Sequence, residues 1–124
     1  MLGTLAALLV YTWAMIGVGR ARARTGIKAP ATTGNADFER AFRAHQNTME
    51  QLVSFLPLVW IVAVLFGDIW GGIYAAVWVV GRILYVAGYA AAAEKRSTGF
   101  MIAGLATLAA LVASLASIII DLFA

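Results

Sequence analysis

Apolar residues run in long blocks along this chain, and polar residues gather between them. The first block, Met1 to Gly19, carries no charge. About 20 apolar residues cross a bilayer as a helix. A cleaved signal peptide is the competing reading. The block lacks a basic start and is followed by Arg20, Arg22 and Arg24, so a retained span is expected. Gly19 to Asp37 is a polar connection rich in turn residues, among them Gly26, Pro30, Gly34 and Asn35. A second helix is expected to start near Asn35 to Asp37, where a capping side chain precedes Phe38. Its first part, Phe38 to Gln51, is mixed and charged, and Leu52 to Phe66 is apolar with Pro57 inside. Proline removes a backbone donor, which predicts a kink. Gly67-Asp68 is a tight connection, and Ile69 to Ala93 is a third apolar block broken only by Arg82. Glu94 to Thr98 is a short charged link, and Gly99 to Phe123 is a fourth block with Asp121 at its end. The pattern predicts an all-α bundle of four transmembrane helices, with spans near 1–19, 38–66, 69–93 and 99–123, in a single domain over 1–124.

Composition narrows the class. Hydrophobic residues make up 63% of the chain, charged residues 12%, and mean hydropathy is +0.89. Soluble domains carry about a quarter charged residues, so a water-soluble globule is excluded. The chain has no cysteine, which removes disulfides, zinc–thiolate sites and iron–sulfur clusters. Its single histidine makes a multi-histidine metal site unexpected, and no metal is predicted. Basic residues other than Arg82 fall in or beside the first and third connections, and the second connection has none. The positive-inside rule places that side in the cytoplasm. The expectation is a multi-pass integral membrane protein, in the cytoplasmic membrane if bacterial, with both termini facing away from the cytoplasm. Topology accounts for the basic residues, so no nucleic-acid partner is expected.

Two helix faces carry the candidate chemistry. At about 100° per residue, Arg43, Asn47 and Glu50 share a narrow arc of the second helix, and His45 points nearly opposite Arg43. A solvated helix start with a Glu39–Arg43 surface pair is the plainer explanation of that arc. On the third helix, Trp78, Arg82, Tyr85, Tyr89 and, by continuation, Arg96 share one face. Arg82 lies near the middle of an apolar span, where a charge is costly and marks a functional site by default. A buried Arg82–Glu50 pair is the structural alternative. Arginines, tyrosines and an amide around a carboxylate suit a small anion bearing carboxylates and an amine. The apolar surroundings suit a lipophilic second substrate arriving from membrane lipid. No phosphate-binding loop, dinucleotide fingerprint or thiol nucleophile is present.

The run Phe38-Glu39-Arg40-Ala41-Phe42-Arg43-Ala44-His45-Gln46-Asn47-Thr48-Met49-Glu50 resembles the second-helix signature of the MAPEG family, the membrane-associated proteins in eicosanoid and glutathione metabolism. Gly81-Arg82-Ile83-Leu84-Tyr85-Val86-Ala87-Gly88-Tyr89 is similar to that family's third-helix motif, and Thr32-Thr33-Gly34 to the loop before its second helix. The resemblance implies a four-helix protomer in a homotrimer, with glutathione as co-substrate bound between protomers near the cytoplasmic side. It implies that Arg43, Asn47 and Glu50, with His45 at a family binding position, hold glutathione from one protomer, and that Arg82, Tyr85 and Tyr89 contribute from the other. Arg96 matches the arginine that stabilises the glutathione thiolate, and Ser97 completes an Arg-Ser pair seen in the prostaglandin-synthase branch. A second catalytic arginine of the leukotriene-synthase branch aligns to Ala23; Arg22, beside it, is carried as a substrate-binding candidate. Gln51 stands where that branch has tyrosine.

The implied activity is that of a membrane-bound glutathione transferase, with glutathione peroxidase activity as a variant. A non-enzymatic lipid-binding or scaffold protein, as in the lipoxygenase-activating branch, and a small transporter subunit with Arg82 on its path are the alternatives.

Overall fold

The computed structural model describes all 124 residues. Four long helices follow one another up and down: α1 (Leu2–Thr25), α2 (Ala36–Phe66), α3 (Asp68–Ala91) and α4 (Ser97–Phe123), with a 3₁₀ turn, Ala93–Arg96, before α4. Each is long and apolar enough to cross a membrane. The architecture is that of a multi-pass integral membrane protein. Their outward faces agree with this: Leu9, Val53, Val64, Ile69, Leu105 and Val112 are exposed in the isolated chain. Soluble monomers rarely expose contiguous apolar surface on that scale.

α1 runs past its apolar block. Arg20, Arg22 and Arg24 were expected in the connection but lie on the helix, which stops at Gly26. Arginine is a good helix former, and basic residues in a last turn complement the negative end of the helix dipole. Gly26 takes φ 73°, a left-handed cap, where glycine meets no Cβ penalty. Arg22 then ties down the shortened connection. Its Nη1 donates to the carbonyls of Ala31 at 2.9 Å and Ile27 at 3.3 Å, and its guanidinium sits 4.6 Å from the centre of the Phe38 ring.

Asn35 starts α2 as expected: its side-chain oxygen accepts from the backbone N–H of Asp37 at 2.9 Å and of Phe38 at 3.2 Å. Those are donors that the first helical turn leaves unpaired. The helix continues unbroken through Pro57. Ala44, Thr48, Leu52, Phe55, Val59 and Val62 are buried, one stripe at helical spacing.

The central helix is α3, which packs on α1, α2 and α4. Phe55 stacks on Trp78 with ring centres 4.2 Å apart, and the hydroxyls of Tyr74 and Thr107 meet at 3.0 Å. Between α3 and α4 the backbones themselves touch. A Cβ added to Gly81 would lie 2.7 Å from the Ala103 nitrogen, and one added to Gly99 would run into the backbone of Tyr85. Lipid tails are as apolar as leucine, so helices in a bilayer associate largely through such close small-residue packing. This contact fixes how far α4 stands from the tyrosines of α3.

Candidate functional site

The end of the bundle that gathers the C-termini of α1 and α3 with the N-termini of α2 and α4 holds most of the charge. There a groove of about 370 Å³ opens among Arg43 and Asn47 of α2, Tyr85 and Tyr89 of α3, Arg96 of the 3₁₀ turn, and Ser97, Phe100 and Met101 of α4. One wall is polar and the other apolar. Arg43 and Arg96 are exposed, and neither forms an ion pair in the chain, whose one salt bridge joins Arg40 to Asp37. Arg43 instead donates to Gln46 Oε1 at 3.2 Å, so the expected Glu39–Arg43 pair does not form. Two guanidiniums without carboxylate partners give the groove the chemistry that suits an anion. The planar fork of arginine matches a carboxylate in bidentate geometry.

Arg96 reaches the groove by a route that helical arithmetic did not foresee. α3 ends at Ala91, so Arg96 does not continue its face. The 3₁₀ turn brings it back, and its Nη1 donates to the Tyr89 hydroxyl at 3.1 Å with the guanidinium 5.1 Å from the ring centre. Ser97 follows as the first residue of α4, its hydroxyl donating to the Glu94 carbonyl at 3.3 Å. Tyr85 and Tyr89 are buried and tilt against each other, ring centres 5.6 Å apart.

Arg82 is wholly buried and forms no pair with Glu50. Its Nη2 donates to Asn47 Oδ1 at 3.0 Å and to Thr48 Oγ1 at 2.7 Å, and its guanidinium lies 4.0 Å from the centre of the Tyr85 ring. Glu50 is exposed beside the groove and accepts from Asn47 Nδ2 at 3.4 Å. The α2 and α3 faces therefore meet within one chain. Two candidates stand apart. His45 turns to α1 and stacks on Tyr11, ring centres 5.0 Å apart. Arg22 is engaged with the first connection, as described above.

Sequence reasoning missed Thr48, Phe100 and Met101. The signal for Thr48 was its place on the buried stripe of α2, one turn from both Ala44 and Leu52. A second cavity, about 470 Å³, lies toward the other end between Val62, Phe66, Trp70, Tyr74, Ala106 and Ala110. Its lining is apolar apart from the Tyr74 hydroxyl, which is taken up by Thr107, so it offers little to orient a polar reactant.

The sequence pattern that defines the MAPEG family matches residues 1–116. The chain belongs to the MAPEG family. It is 47% identical over 116 residues to "Uncharacterized protein sll1147" of Synechocystis, a match covering 94% of this chain and 85% of that protein. Mouse microsomal glutathione S-transferase 2 is 41% identical over 92 residues, covering 73% of this chain and 63% of the mouse protein. Bovine leukotriene C4 synthase is 31% identical over 93 residues, covering 75% of this chain and 62% of the bovine protein. The matches to these mammalian MAPEG proteins thus span about three fifths of their length.

Proposed function

We propose that this MAPEG protein is a membrane-bound glutathione transferase. The observation that carries the reading is the groove itself: two guanidiniums without carboxylate partners and two tyrosines face an apolar wall of Phe100 and Met101. Relatives named as a glutathione transferase and a leukotriene C4 synthase support it. In this reading Arg43 and Asn47 take the polar backbone of glutathione, with Glu50 beside them for its ammonium. The thiol lies toward Arg96.

A free thiol has a pKa of about 8.5, so little is thiolate at neutral pH. A cation beside the sulfur favours the anion, and each unit of lowering is worth about 1.4 kcal/mol. Arg96 supplies that cation. The thiol proton leaves to water. The sulfur attacks the electrophilic carbon of a lipophilic substrate presented from the bilayer, a C–S bond forms, and the leaving group departs with its electron pair. With a lipid hydroperoxide, the same thiolate attacks the terminal peroxide oxygen, the O–O bond breaks and the lipid alkoxide leaves to take up a proton; a second glutathione then displaces water from the resulting sulfenic acid to close the disulfide.

The reading includes a homotrimer and a cytoplasmic active site, in line with the basic residues at that end. The transporter alternative is weakened because Arg82 is sealed among Asn47, Thr48 and Tyr85 and lines no open path. Titrating the purified protein with glutathione, while following ultraviolet thiolate absorbance, tests the proposal. Thiolate should appear on binding, and adding a chloronitrobenzene electrophile should consume it with formation of conjugate. Binding without thiolate or conjugate would favour a non-enzymatic lipid-binding or scaffold role.

A further inference from the structure

Three contacts around Arg82 set the direction of a hydrogen-bond chain that ends at the groove. A guanidinium donates and never accepts. Asn47 therefore turns its carbonyl oxygen inward to Arg82 Nη2, at 3.0 Å. Its NH₂ group is left facing outward, where it reaches Glu50 Oε2 at 3.4 Å. The amide that Asn47 offers the groove is thereby fixed as a donor. Thr48 anchors the other side of the same nitrogen. Its hydroxyl accepts from Arg82 at 2.7 Å and donates to the Ala44 carbonyl at 2.8 Å. Thr48 is fully buried and does not line the groove, so it acts only through its neighbours. Nε and Nη1 of Arg82 find no acceptor in the chain. Asn47 and Thr48 are thus its two hydrogen-bond partners, and the Tyr85 ring stacks on it.

We infer that Thr48 is a positioning residue for the groove. Through Arg82 it locks Asn47 as a hydrogen-bond donor and steadies Tyr85 in the wall, so that the groove selects a ligand presenting a carboxylate or peptide carbonyl to Asn47. Glutathione as that ligand rests on the function proposed above; the lock itself rests on the contacts of Arg82.

The test compares the wild-type chain with Thr48→Val and Thr48→Ser in detergent micelles. Valine keeps the shape and removes the hydroxyl, while serine keeps the hydroxyl and removes the methyl. Three quantities are read: the glutathione dissociation constant, turnover at saturating glutathione, and the NMR resonance of the isotope-labelled Asn47 side-chain amide. Thr48→Val should weaken glutathione binding roughly tenfold, the factor that about 1.4 kcal/mol carries. Turnover at saturation should stay within about twofold, the mark of lost ground-state positioning. The Asn47 resonance should shift, and Thr48→Ser should restore both affinity and resonance. Should valine prevent folding, Thr48→Ala answers the same question.

Unchanged affinity and an unchanged Asn47 resonance in the valine variant would overturn the proposal. So would equal weakening in the valine and serine variants, which points to methyl packing. A wild-type protein that binds no glutathione would sink the transferase reading alone. The Asn47 resonance would then decide the lock: a shift reversed by serine sustains it, and no shift refutes it.

Discussion

Gly81→Ala asks whether the close approach of α3 and α4 shapes the groove. The new Cβ would lie 2.7 Å from the Ala103 nitrogen, 3.0 Å from its Cβ and 3.1 Å from the Gly99 oxygen. Two of those atoms are backbone, so no side chain can swing away to make room. Restoring ordinary contact requires the helices to part by roughly 0.7 Å, and overpacking of this kind costs about 1–3 kcal/mol. Alanine is the better helix former by up to about 1 kcal/mol, which offsets part of that cost. A net loss of about 1–2 kcal/mol remains, or roughly 3–8 °C in melting temperature for a chain of this size. Gly104→Ala on α4 is the matched control, because nothing lies within 4 Å of a Cβ there. It carries the same propensity gain without the clash and should melt no lower than wild type.

The functional consequence follows from where the hinge of this contact lies. Gly81 is one turn from Tyr85, and Gly99 sits between Ser97 and Phe100. Separating the helices there moves the tyrosine wall away from the apolar wall. Glutathione affinity should fall in Gly81→Ala and hold in Gly104→Ala. Thermal unfolding in micelles, with and without glutathione, measures both effects. If Gly81→Ala melts with wild type and binds glutathione equally well, the backbone contact does not set the geometry of the groove.

Arg96→Ala should lower turnover at saturating glutathione about tenfold or more, the effect of losing a pKa unit of thiolate stabilisation. Affinity should fall much less, and equal losses in stopped-flow binding and steady-state turnover would argue against a transition-state role. Arg82→Met should unfold within about 1–2 kcal/mol of wild type yet bind glutathione more weakly. Denaturation and calorimetry on the same sample check both statements, and a collapse in stability would refute the first.

Length and hydropathy made the four helices legible, because a bilayer demands long apolar segments and forbids exposed irregular backbone. Their ends were less so. The sequence shows where lipid contact stops, but a helix can run on into water, as α1 does through Arg20, Arg22 and Arg24. Helical periodicity grouped Arg43 with Asn47 and Tyr85 with Tyr89, the faces that line the groove. It failed at Arg96, since a periodic rule cannot see that α3 stops at Ala91 and the chain folds back. Opposite charge suggested Glu50 as the partner of Arg82. The helix places Thr48 on the buried stripe and Glu50 on the exposed flank, so proximity overrode charge. Phe100 and Met101 looked like any other lipid-facing residues until α4 was seated against α3.

Why an apolar bundle retains Arg82 can be decided by comparing its costs and gains. A charge in the middle of a span costs about 2.5–3.5 kcal/mol on insertion scales, and each of its unpartnered N–H groups adds about 1–3 kcal/mol. Against this stand two charge-assisted hydrogen bonds, about 1.5–3 kcal/mol each, and the Tyr85 ring at 4.0 Å, about 2 kcal/mol when desolvated. The two sides come out close to even, so stability alone gives little reason to keep an arginine where methionine would pack. What methionine cannot do is hold the Asn47 carbonyl inward and its NH₂ outward. The sealed guanidinium and the exposed ones thus divide the work by burial. Arg82 is sealed behind the wall that Asn47 and Tyr85 form, while Arg43 and Arg96 stay in the open, where an anion can reach them.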